Sequence, residues 1–421
     1  MKKIFLNAAI ISLITILVFS LQGCLKDRIT RTYQISTPVY ETLTKFRQSI
    51  VSQAAATITA TGKISVYGKY IFLSEPGKGI HVIDNSNPAS PKNVSFINIP
   101  GNEDLAIKGN SLYADAYGDL VTFDISDPAK AITKDFATYV FPDHSIYYAD
   151  STSNPDSINV VVGWMTKDTT VDYNQGNNGY PYPIYYSNCS NCASIAAASL
   201  SSNTKATNGS TARFAIINNF LYTVGFSSLT TFDISIGFKP VYSGTTQVSW
   251  NVETIYPLED KLFIGTNNGM YMYDVQSNPS APSLLGTFAH VRTCDPVIAD
   301  GNYAYVTLRS GTACEGFNNE LDVLDITDMS NPSLLKVYQL TNPQGLSKDG
   351  SNLFICDGVD GLKIYNASDV NNLQLIKQLK DGEMVDVIAE SGLVIAIAKD
   401  GLYQYDYSDL GNIHLISTLK N

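Results

Sequence analysis

The sequence predicts an all-β protein, a seven-bladed β-propeller with four-stranded antiparallel blades. Its 421 residues include 26 Tyr, and only 16% of them are charged. Aromatic and β-branched residues occur in short runs separated by Gly, Asn, Asp and Pro, which is the composition of a sheet protein. One apolar phrase that ends in Asp recurs along the chain, and its period of about 40 residues is typical of a propeller blade.

The N-terminus has the features of a secretory signal peptide that ends at a lipidation site. Two lysines precede a nearly uninterrupted apolar stretch over residues 4–19, and Leu-Gln-Gly-Cys follows at 21–24. This ending resembles the lipobox of bacterial lipoproteins, which implies that Cys24 receives the lipid and becomes the mature N-terminus. The alternative is a transmembrane anchor, but the stretch is short for a bilayer about 30 Å thick. Because Leu25 and not Asp follows the cysteine, we expect an outer-membrane lipoprotein on the periplasmic or the cell-surface side.

Three segments follow from this interpretation. Residues 1–23 are the signal peptide, residues 24–61 a lipidated tether and N-terminal clasp, and residues 62–421 the propeller, with an insertion at about 142–212. Removal of residues 1–23 takes away two lysines and no acid, so the formal net charge changes from −11 to −13. An acidic chain repels phosphate backbones, which argues against nucleic acid as a partner.

The recurring phrase gives the blade count. Its last residues are Asp84, Asp124, Asp233, Asp274, Asp325, Asn366 and Asp406, at intervals of 40, 109, 41, 51, 41 and 40 residues. The interval of 109 is one period plus the insertion, and that of 51 is one period plus a loop at 310–319. Copies three and six depart from the pattern, so six or eight blades are alternatives. Within the second unit, strands A to D are predicted over 104–108, 111–116, 119–125 and 132–139.

The recurring Asp has a structural explanation. Asp side chains accept hydrogen bonds from the backbone two residues on, and a turn must connect strand C to strand D. We therefore interpret these residues as turn formers and not as catalytic acids.

Residues 79–91, Gly-Ile-His-Val-Ile-Asp-Asn-Ser-Asn-Pro-Ala-Ser-Pro, resemble the LVIVD repeat. This propeller-forming unit is common in surface lipoproteins of Bacteroidetes-type bacteria. The similarity spans about residues 62–420 and is clearest in copies one, two, four and five. The resemblance implies the fold and an envelope location, and it implies no catalytic residues, because the family has no firmly assigned activity.

The predicted binding face is one end of the ring. In antiparallel blades the A-to-B and C-to-D turns lie at one end (the A-to-B end) and the B-to-C and D-to-A connections at the other (the D-to-A end). Both insertions fall on connections of the D-to-A end, and loops on a rigid scaffold commonly carry function. The candidate binding residues are His144, Trp164, Trp250, His290, Arg292 and Arg309.

A second candidate site is the mouth of the central channel, which strand A of each blade lines. The residues predicted to begin strand A in five blades are Asp104, Arg213, Glu253, Asp295 and Asp386. This mostly acidic ring could hold Ca²⁺ through carboxylate oxygens or bind a cationic group. The alternative is a water-filled mouth with solvated charges and an ion pair of Arg213. No spaced Ca²⁺ loop occurs in the sequence, so whether a metal is bound stays open.

The cysteines favour disulfides, since the predicted compartment is oxidising. Cys294 begins a predicted strand A and Cys314 lies in the inserted B-to-C loop of the same blade, so a disulfide between them would staple that loop. Cys189 and Cys192 would form a local disulfide in the larger insertion. A lone CxxC lacks the second ligand pair of a zinc site. Cys356, at the end of a predicted strand, is expected to be a buried free thiol.

Two functional classes remain. The sequence favours a non-enzymatic binding or scaffold module on the cell envelope, held to the membrane by its lipid and engaging a protein or a glycan through the D-to-A end. The alternative is a metal-dependent hydrolase or lyase centred on the channel mouth. No Gly-x-Ser-x-Gly elbow, phosphate loop or HExxH motif occurs. A propeller active site built from distant blades would nevertheless leave no linear motif.

Overall fold

The computed structural model describes residues 30–142, 154–172, 207–289, 296–310 and 318–421. The chain divides into two units, one of residues 1–40 and 161–188 and the other of residues 41–160 and 189–421. The described part of the smaller unit, residues 30–40 and 161–172, lies in two paired strands, β1 (Thr30–Thr42) and β11 (Asn159–Asp172), and residues 41–42 and 159–160 of these strands belong to the larger unit. No helix in the described ranges is both long enough and apolar enough to cross a membrane.

The larger unit is the predicted propeller. Its described residues form seven four-stranded antiparallel blades, each contiguous in sequence and paired in chain order, which confirms seven over six or eight. Blade 1 contains β3 (Ile64–Tyr67), β4 (Tyr70–Glu75), β5 (Gly79–Asp84) and β6 (Lys92–Asn98). Blade 2 contains β7 (Leu105–Lys108), β8 (Ser111–Ala116), β9 (Asp119–Asp124) and β10 (Ile132–Ala137). Blade 3 contains β13 (Phe214–Ile217), β14 (Phe220–Val224), β15 (Ser228–Asp233) and β16 (Val241–Gln247). Blade 4 contains β17 (Val252–Leu258), β18 (Lys261–Thr266), β19 (Gly269–Asp274) and β20 (Ser283–Ala289), and blade 5 contains β21 (Val297–Asp300), β22 (Tyr303–Leu308), β23 (Glu320–Asp325) and β24 (Ser333–Gln339). Blade 6 contains β25 (Leu346–Asp349), β26 (Asn352–Cys356), β27 (Leu362–Asn366) and β28 (Gln374–Leu379), and blade 7 contains β29 (Met384–Glu390), β30 (Leu393–Ala398), β31 (Gly401–Asp406) and β32 (His414–Lys420).

The recurring Asp residues form the C-to-D turns, as predicted. In blades 1, 2, 3, 5 and 7 the Asp Oδ1 accepts the backbone N–H of the residue two positions on, at 2.8–3.0 Å. Asn366 makes the same bond to the N–H of Ser368 at 2.9 Å, so this departure from the repeat preserves the turn. In blade 4, Asp274 accepts from Ser277 at 3.2 Å.

The ring closes between blades 7 and 1. An apolar cluster at this junction contains Ile64, Ile71 and Leu73 of blade 1 with Ile395, Ile397 and Leu402 of blade 7. The side chains of Asn85 and Gln404 donate to each other at 2.8 Å in both directions. Every blade takes its strands A to D from its own repeat. The ring is therefore closed by side-chain packing and hydrogen bonds and not by an exchanged strand.

The segment before blade 1 lies on the outer edges of blades 1 and 2. It contains helix α1 (Leu43–Gln48) and strand β2 (Ser52–Ala54), and β2 pairs with β6, the outermost strand of blade 1. Arg47 binds Asp119 of blade 2 at 2.7 Å, and Thr133 of the same blade donates to the carbonyl of Ile50 at 2.7 Å. Short 3₁₀ helices span Pro128–Lys130 and Pro155–Ser157.

Candidate functional site

A segment of the chain, residues 207–213 (the channel segment), occupies the central channel. Its first two residues form β12 (Thr207–Asn208), which pairs antiparallel with β3, the innermost strand of blade 1, with Thr207 opposite Val66. Thr207 Oγ1 also donates to Glu390 Oε2 of blade 7 at 3.2 Å. Val66 and Glu390 both lie next to A-to-B turns, so Thr207 lies at the A-to-B end of the channel.

The channel segment runs the length of the channel. It leads directly into β13, which begins at the D-to-A end. The insertion leaves blade 2 at that same end, where the N–H of Phe141 donates to the carbonyl of Gly118 at 3.0 Å. The sequence predicted an insertion confined to the D-to-A end. The structure corrects this, because the insertion returns to the propeller at the opposite end and then passes through the ring.

Asp386 holds the middle of the channel segment. Its carboxylate accepts from Thr211 Oγ1 at 2.6 Å, from Ser210 Oγ at 3.3 Å and from the N–H of Val387 at 2.9 Å. Ser210 Oγ in turn accepts the N–H of Leu346 in blade 6 at 2.8 Å. The Asp386 side chain is fully buried, and this burial raises its pKa.

Asp104 holds the end of the segment. Its carboxylate accepts the backbone N–H groups of Arg213 and Leu105. Burial raises the pKa of Asp104 to about 6, against the opposing charge of Lys63. Lys63 Nζ donates to the carbonyl of Thr211 inside the channel, and Arg213 donates through Nη2 to the carbonyl of Val224 at 3.0 Å.

These contacts change the picture of an acidic channel mouth. Asp104 and Arg213 are adjacent, and Asp386 is joined to them through the channel segment. Both carboxylates are buried, so neither faces an open mouth. The charge of Lys63 favours the ionised form of both Asp104 and Asp386, and that of Arg213 favours the ionised form of Asp104. Glu253 is half-buried on β17, and Asp295 lies outside the described residues. Within the described ranges, no group of three or more His, Cys, Asp or Glu residues is placed to hold a metal ion.

A buried carboxylate that the sequence did not single out supports the start of blade 2. Asp115 Oδ1 accepts from the Asn102 side chain at 2.8 Å and from the N–H groups of Glu103 and Asp104 at 2.8 and 2.9 Å. Burial raises the pKa of Asp115 to about 7. The only sequence signal for this role was an acid at a buried position of β8.

A buried Glu75–His81 pair in blade 1 is structural. His81 Nε2 lies 2.7 Å from Glu75 Oε2, and Nδ1 lies 3.1 Å from the Asn93 amide nitrogen. Burial lowers the pKa of His81. Burial opposes ionisation of Glu75, but hydrogen bonds from Lys78, Thr59 and His81 outweigh it and lower the pKa of Glu75 to about 2. The His81 ring has no exposed surface, so the pair cannot meet a ligand in this conformation.

An exposed aromatic pair stands at the D-to-A end. Trp250 is 73% exposed and Phe226 is 46% exposed. Their rings meet edge to face, with centroids 5.8 Å apart and planes at 83°. Trp250 lies on the link between blades 3 and 4, and Phe226 lies on the B-to-C turn of blade 3. Two backbone bonds of 3.0 and 3.1 Å join this link to that turn, so the loop that carries Trp250 is held in place.

Polar side chains beside Trp250 form one connected set. Tyr271 OH donates to Ser249 Oγ at 3.1 Å, and Ser249 donates to Asn268 Oδ1 at 3.3 Å. Asn268 Oδ1 also accepts from Thr266 at 2.6 Å. The aromatic pair and its three connections, residues 225–228, 247–251 and 266–269, are the Trp250 site.

The other predicted residues are spread over the molecule. Arg309 is half-buried just after β22 at the D-to-A end, and Trp164 is part of β11. Cys356 is a buried free thiol at the end of β26, as predicted, and burial raises its pKa well above its usual value. The predicted residues that lie outside the described ranges are Cys24, His144, Cys189, Cys192, His290, Arg292, Cys294 and Cys314.

The repeats match a known family. The LVIVD repeat family matches residues 60–98, 102–135, 258–290 and 292–339. The chain therefore contains four LVIVD repeats. The four matched segments are the first, second, fourth and fifth copies, those in which the sequence resembles the repeat most clearly. No curated protein matches the chain.

Solved structures share the propeller fold of this chain. A protein from Lactobacillus plantarum is 12% identical with a TM-score of 0.55, over 86% of this chain and 96% of the other. The periplasmic gluconolactonase PpgL from Pseudomonas aeruginosa is 12% identical with a TM-score of 0.52, over 86% and 96% of the two chains. At this identity the likeness concerns the fold alone.

Proposed function

We propose that this protein is a cell-envelope lipoprotein and a non-catalytic binding or scaffold module. Its ligand, a protein or a glycan, engages the D-to-A end of the propeller. The observation that carries this proposal is Trp250, an indole 73% exposed on a loop that is hydrogen-bonded to its neighbours. Exposed aromatic side chains on rigid loops are favoured in binding sites, because they offer a large contact area and lose little entropy on binding.

The channel supports a binding module better than it supports the hydrolase or lyase alternative. Asp104 and Asp386 use their oxygens on backbone and hydroxyl groups of the channel segment and of their own strands. Among the described residues, these carboxylates thus hold the channel segment in place, whereas the Trp250 site presents exposed groups at the D-to-A end.

In this proposal the lipid on Cys24 attaches the protein to the membrane. A diacyl or triacyl group on Cys24 supplies more than one buried chain, which is enough for stable anchoring. The outer membrane is the destination, with the propeller on its periplasmic or cell-surface side.

Site-specific crosslinking in the native envelope tests the binding face. A photo-reactive amino acid replaces Trp250 in the full-length lipoprotein, and the matched control replaces Asn302, an exposed residue of an A-to-B turn. We expect discrete adducts from position 250 and none from position 302. Adducts from position 302 alone, or equal labelling from both positions, would overturn the assignment of the face.

Metabolic labelling with a palmitate analogue tests the anchor. We expect the wild-type chain to carry the label and to sediment with membranes, and the Cys24→Ser variant to lose both properties. An unlabelled wild-type chain, or a labelled variant, contradicts lipidation at this cysteine.

A further inference from the structure

We infer that the Trp250 site binds a neutral carbohydrate. One sugar ring stacks on the indole of Trp250, and its hydroxyls accept hydrogen bonds from the side-chain amide of Asn268. This inference rests on the proposed function for the choice of face and adds the chemical class of the ligand.

The Trp250 indole supplies a flat apolar platform. One face of a pyranose ring presents C–H groups and is apolar, while the rim of the ring carries hydroxyls. The edge-to-face contact of 5.8 Å between Phe226 and Trp250 supports one side of the indole. Because the indole is 73% exposed, stacking a sugar on it removes apolar surface of both partners from water.

The polar groups beside the platform are arranged for hydroxyls. Asn268 accepts through Oδ1 from both Ser249 and Thr266. Its amide nitrogen donates to no group of the described chain, so its donors remain for a ligand. Ser249 is fixed by the hydroxyl of Tyr271. Groups held in this way pay little ordering entropy when a ligand binds.

The charge pattern favours a neutral sugar over a peptide or a charged surface. None of residues 225–228, 247–251 and 266–269 is Asp, Glu, Lys, Arg or His. A site for an acidic or basic peptide would be expected to carry complementary charge. Here the polar members are instead hydroxyls and carboxamides, the groups that match sugar hydroxyls as donors and acceptors.

The loop geometry keeps the platform in place. Asn251 takes up a left-handed backbone conformation, with φ 53°, directly after Trp250; Asn is one of the few residues that tolerates this conformation. Its carbonyl accepts the N–H of Asn267 from blade 4 at 3.2 Å. The link is thus joined to both neighbouring turns, and the stacking face does not depend on a disordered loop.

Titration of the full-length protein with soluble neutral hexasaccharides tests the inference. The probes are homopolymers of glucose, mannose, galactose, xylose and N-acetylglucosamine, followed by calorimetry and by tryptophan fluorescence. The chain has two tryptophans, so a fluorescence change that disappears in Trp250→Ala reports this site. We expect at least one probe to bind, and Trp250→Ala to weaken it by about 30-fold, as for a hot-spot Trp.

Two further variants separate stacking from general surface effects. Asn268→Ala is expected to weaken binding by about 5-fold through the lost hydrogen bonds. Val359→Ala is the matched control, because Val359 is also apolar, 66% exposed and on a B-to-C turn, in blade 6; it should bind like wild type. Unchanged melting temperatures for all three variants show that folding is intact.

The outcomes distinguish this inference from the proposed function. If no probe binds while position 250 still crosslinks to an envelope protein, the carbohydrate class is overturned and the binding face stands. If a probe binds equally to wild type and Trp250→Ala, the assignment of the sugar to this site is overturned.

Discussion

Replacing Asp386 with Ala should destabilise the propeller by about 1–3 kcal/mol. The carboxylate accepts three hydrogen bonds, from Ser210, Thr211 and the N–H of Val387. A buried donor left without an acceptor costs about 1–3 kcal/mol. The two hydroxyls can rotate toward other acceptors, so most of the loss falls on Val387. Burial of the Asp386 carboxyl opposes its ionisation and raises its pKa. Alanine removes this unfavourable burial, which offsets part of the loss.

Asp386→Asn is the informative control. It preserves the shape of the side chain and one acceptor oxygen, and its amide can donate to Thr211 Oγ1. We expect it to cost less than about 1 kcal/mol, since hydrogen bonds are exchanged and not lost. Urea unfolding followed by circular dichroism at pH 7 measures both variants. If Asp386→Ala lies within about 0.5 kcal/mol of wild type, the carboxylate does not hold the channel segment. If Asn is as damaging as Ala, charge and not hydrogen bonding is what matters.

Three further predictions concern other buried groups. Because burial raises the pKa of Asp115 to about 7 from 3.8, the folded state loses stability as the pH rises from about 4 to 8, by about 3 kcal/mol between pH 5 and pH 8. Asp115→Asn keeps the acceptor oxygen and should remove this part of the pH dependence. If the melting temperature of the variant shifts between pH 5 and pH 8 as much as that of wild type, the assignment is refuted. Thr133→Val removes the 2.7 Å bond to the carbonyl of Ile50 and should cost about 1 kcal/mol, with faster proteolysis within residues 43–58; unchanged cleavage argues against a role for this bond. Cys356 has no exposed surface, so a thiol reagent should modify it only at the rate of unfolding. Peptide mapping that finds rapid modification of Cys356 in the native protein contradicts its burial.

The blades were predictable because their information is local. In blade 2 the predicted strands 104–108, 111–116, 119–125 and 132–139 correspond to strands that begin or end within two residues of these limits. Each strand pairs with its neighbour in sequence, so alternating apolar residues and turn residues are enough to locate it. The recurring Asp fixes the C-to-D turn by a bond that reaches only two residues along the chain.

The channel segment could not be predicted, because its partners are distant. Ser210 and Thr211 bond to Asp386, about 175 residues later, and the N–H of Arg213 bonds to Asp104, 109 residues earlier. From sequence, Gly, Ser and Thr at 209–211 indicate only a loop. The acidic ring was deduced from the positions at which strand A begins, and those positions are nearly right. The positions at which strand A begins do not reveal that a segment of the chain passes through the middle of the ring.

The seven copies of the repeat also form an internal alignment that explains the N-terminal segment. The residue of strand D that pairs with the position just before the marker Asp is large and apolar in five blades, where it is 40–55% exposed: Tyr242, Leu284, Leu334, Leu375 and Leu415.

In blades 1 and 2 the same position holds Asn93 and Thr133. These two side chains donate to the carbonyls of Ala56 and Ile50, in the segment that follows α1. A polar donor therefore replaces the apolar residue only where the N-terminal segment covers the outer edge. Because Asn93 and Thr133 bond to this segment, residues 43–58 belong to the folded propeller. A chain cut at the first repeat would lose these two hydrogen bonds and would expose the outer edge of blade 1 that β2 covers.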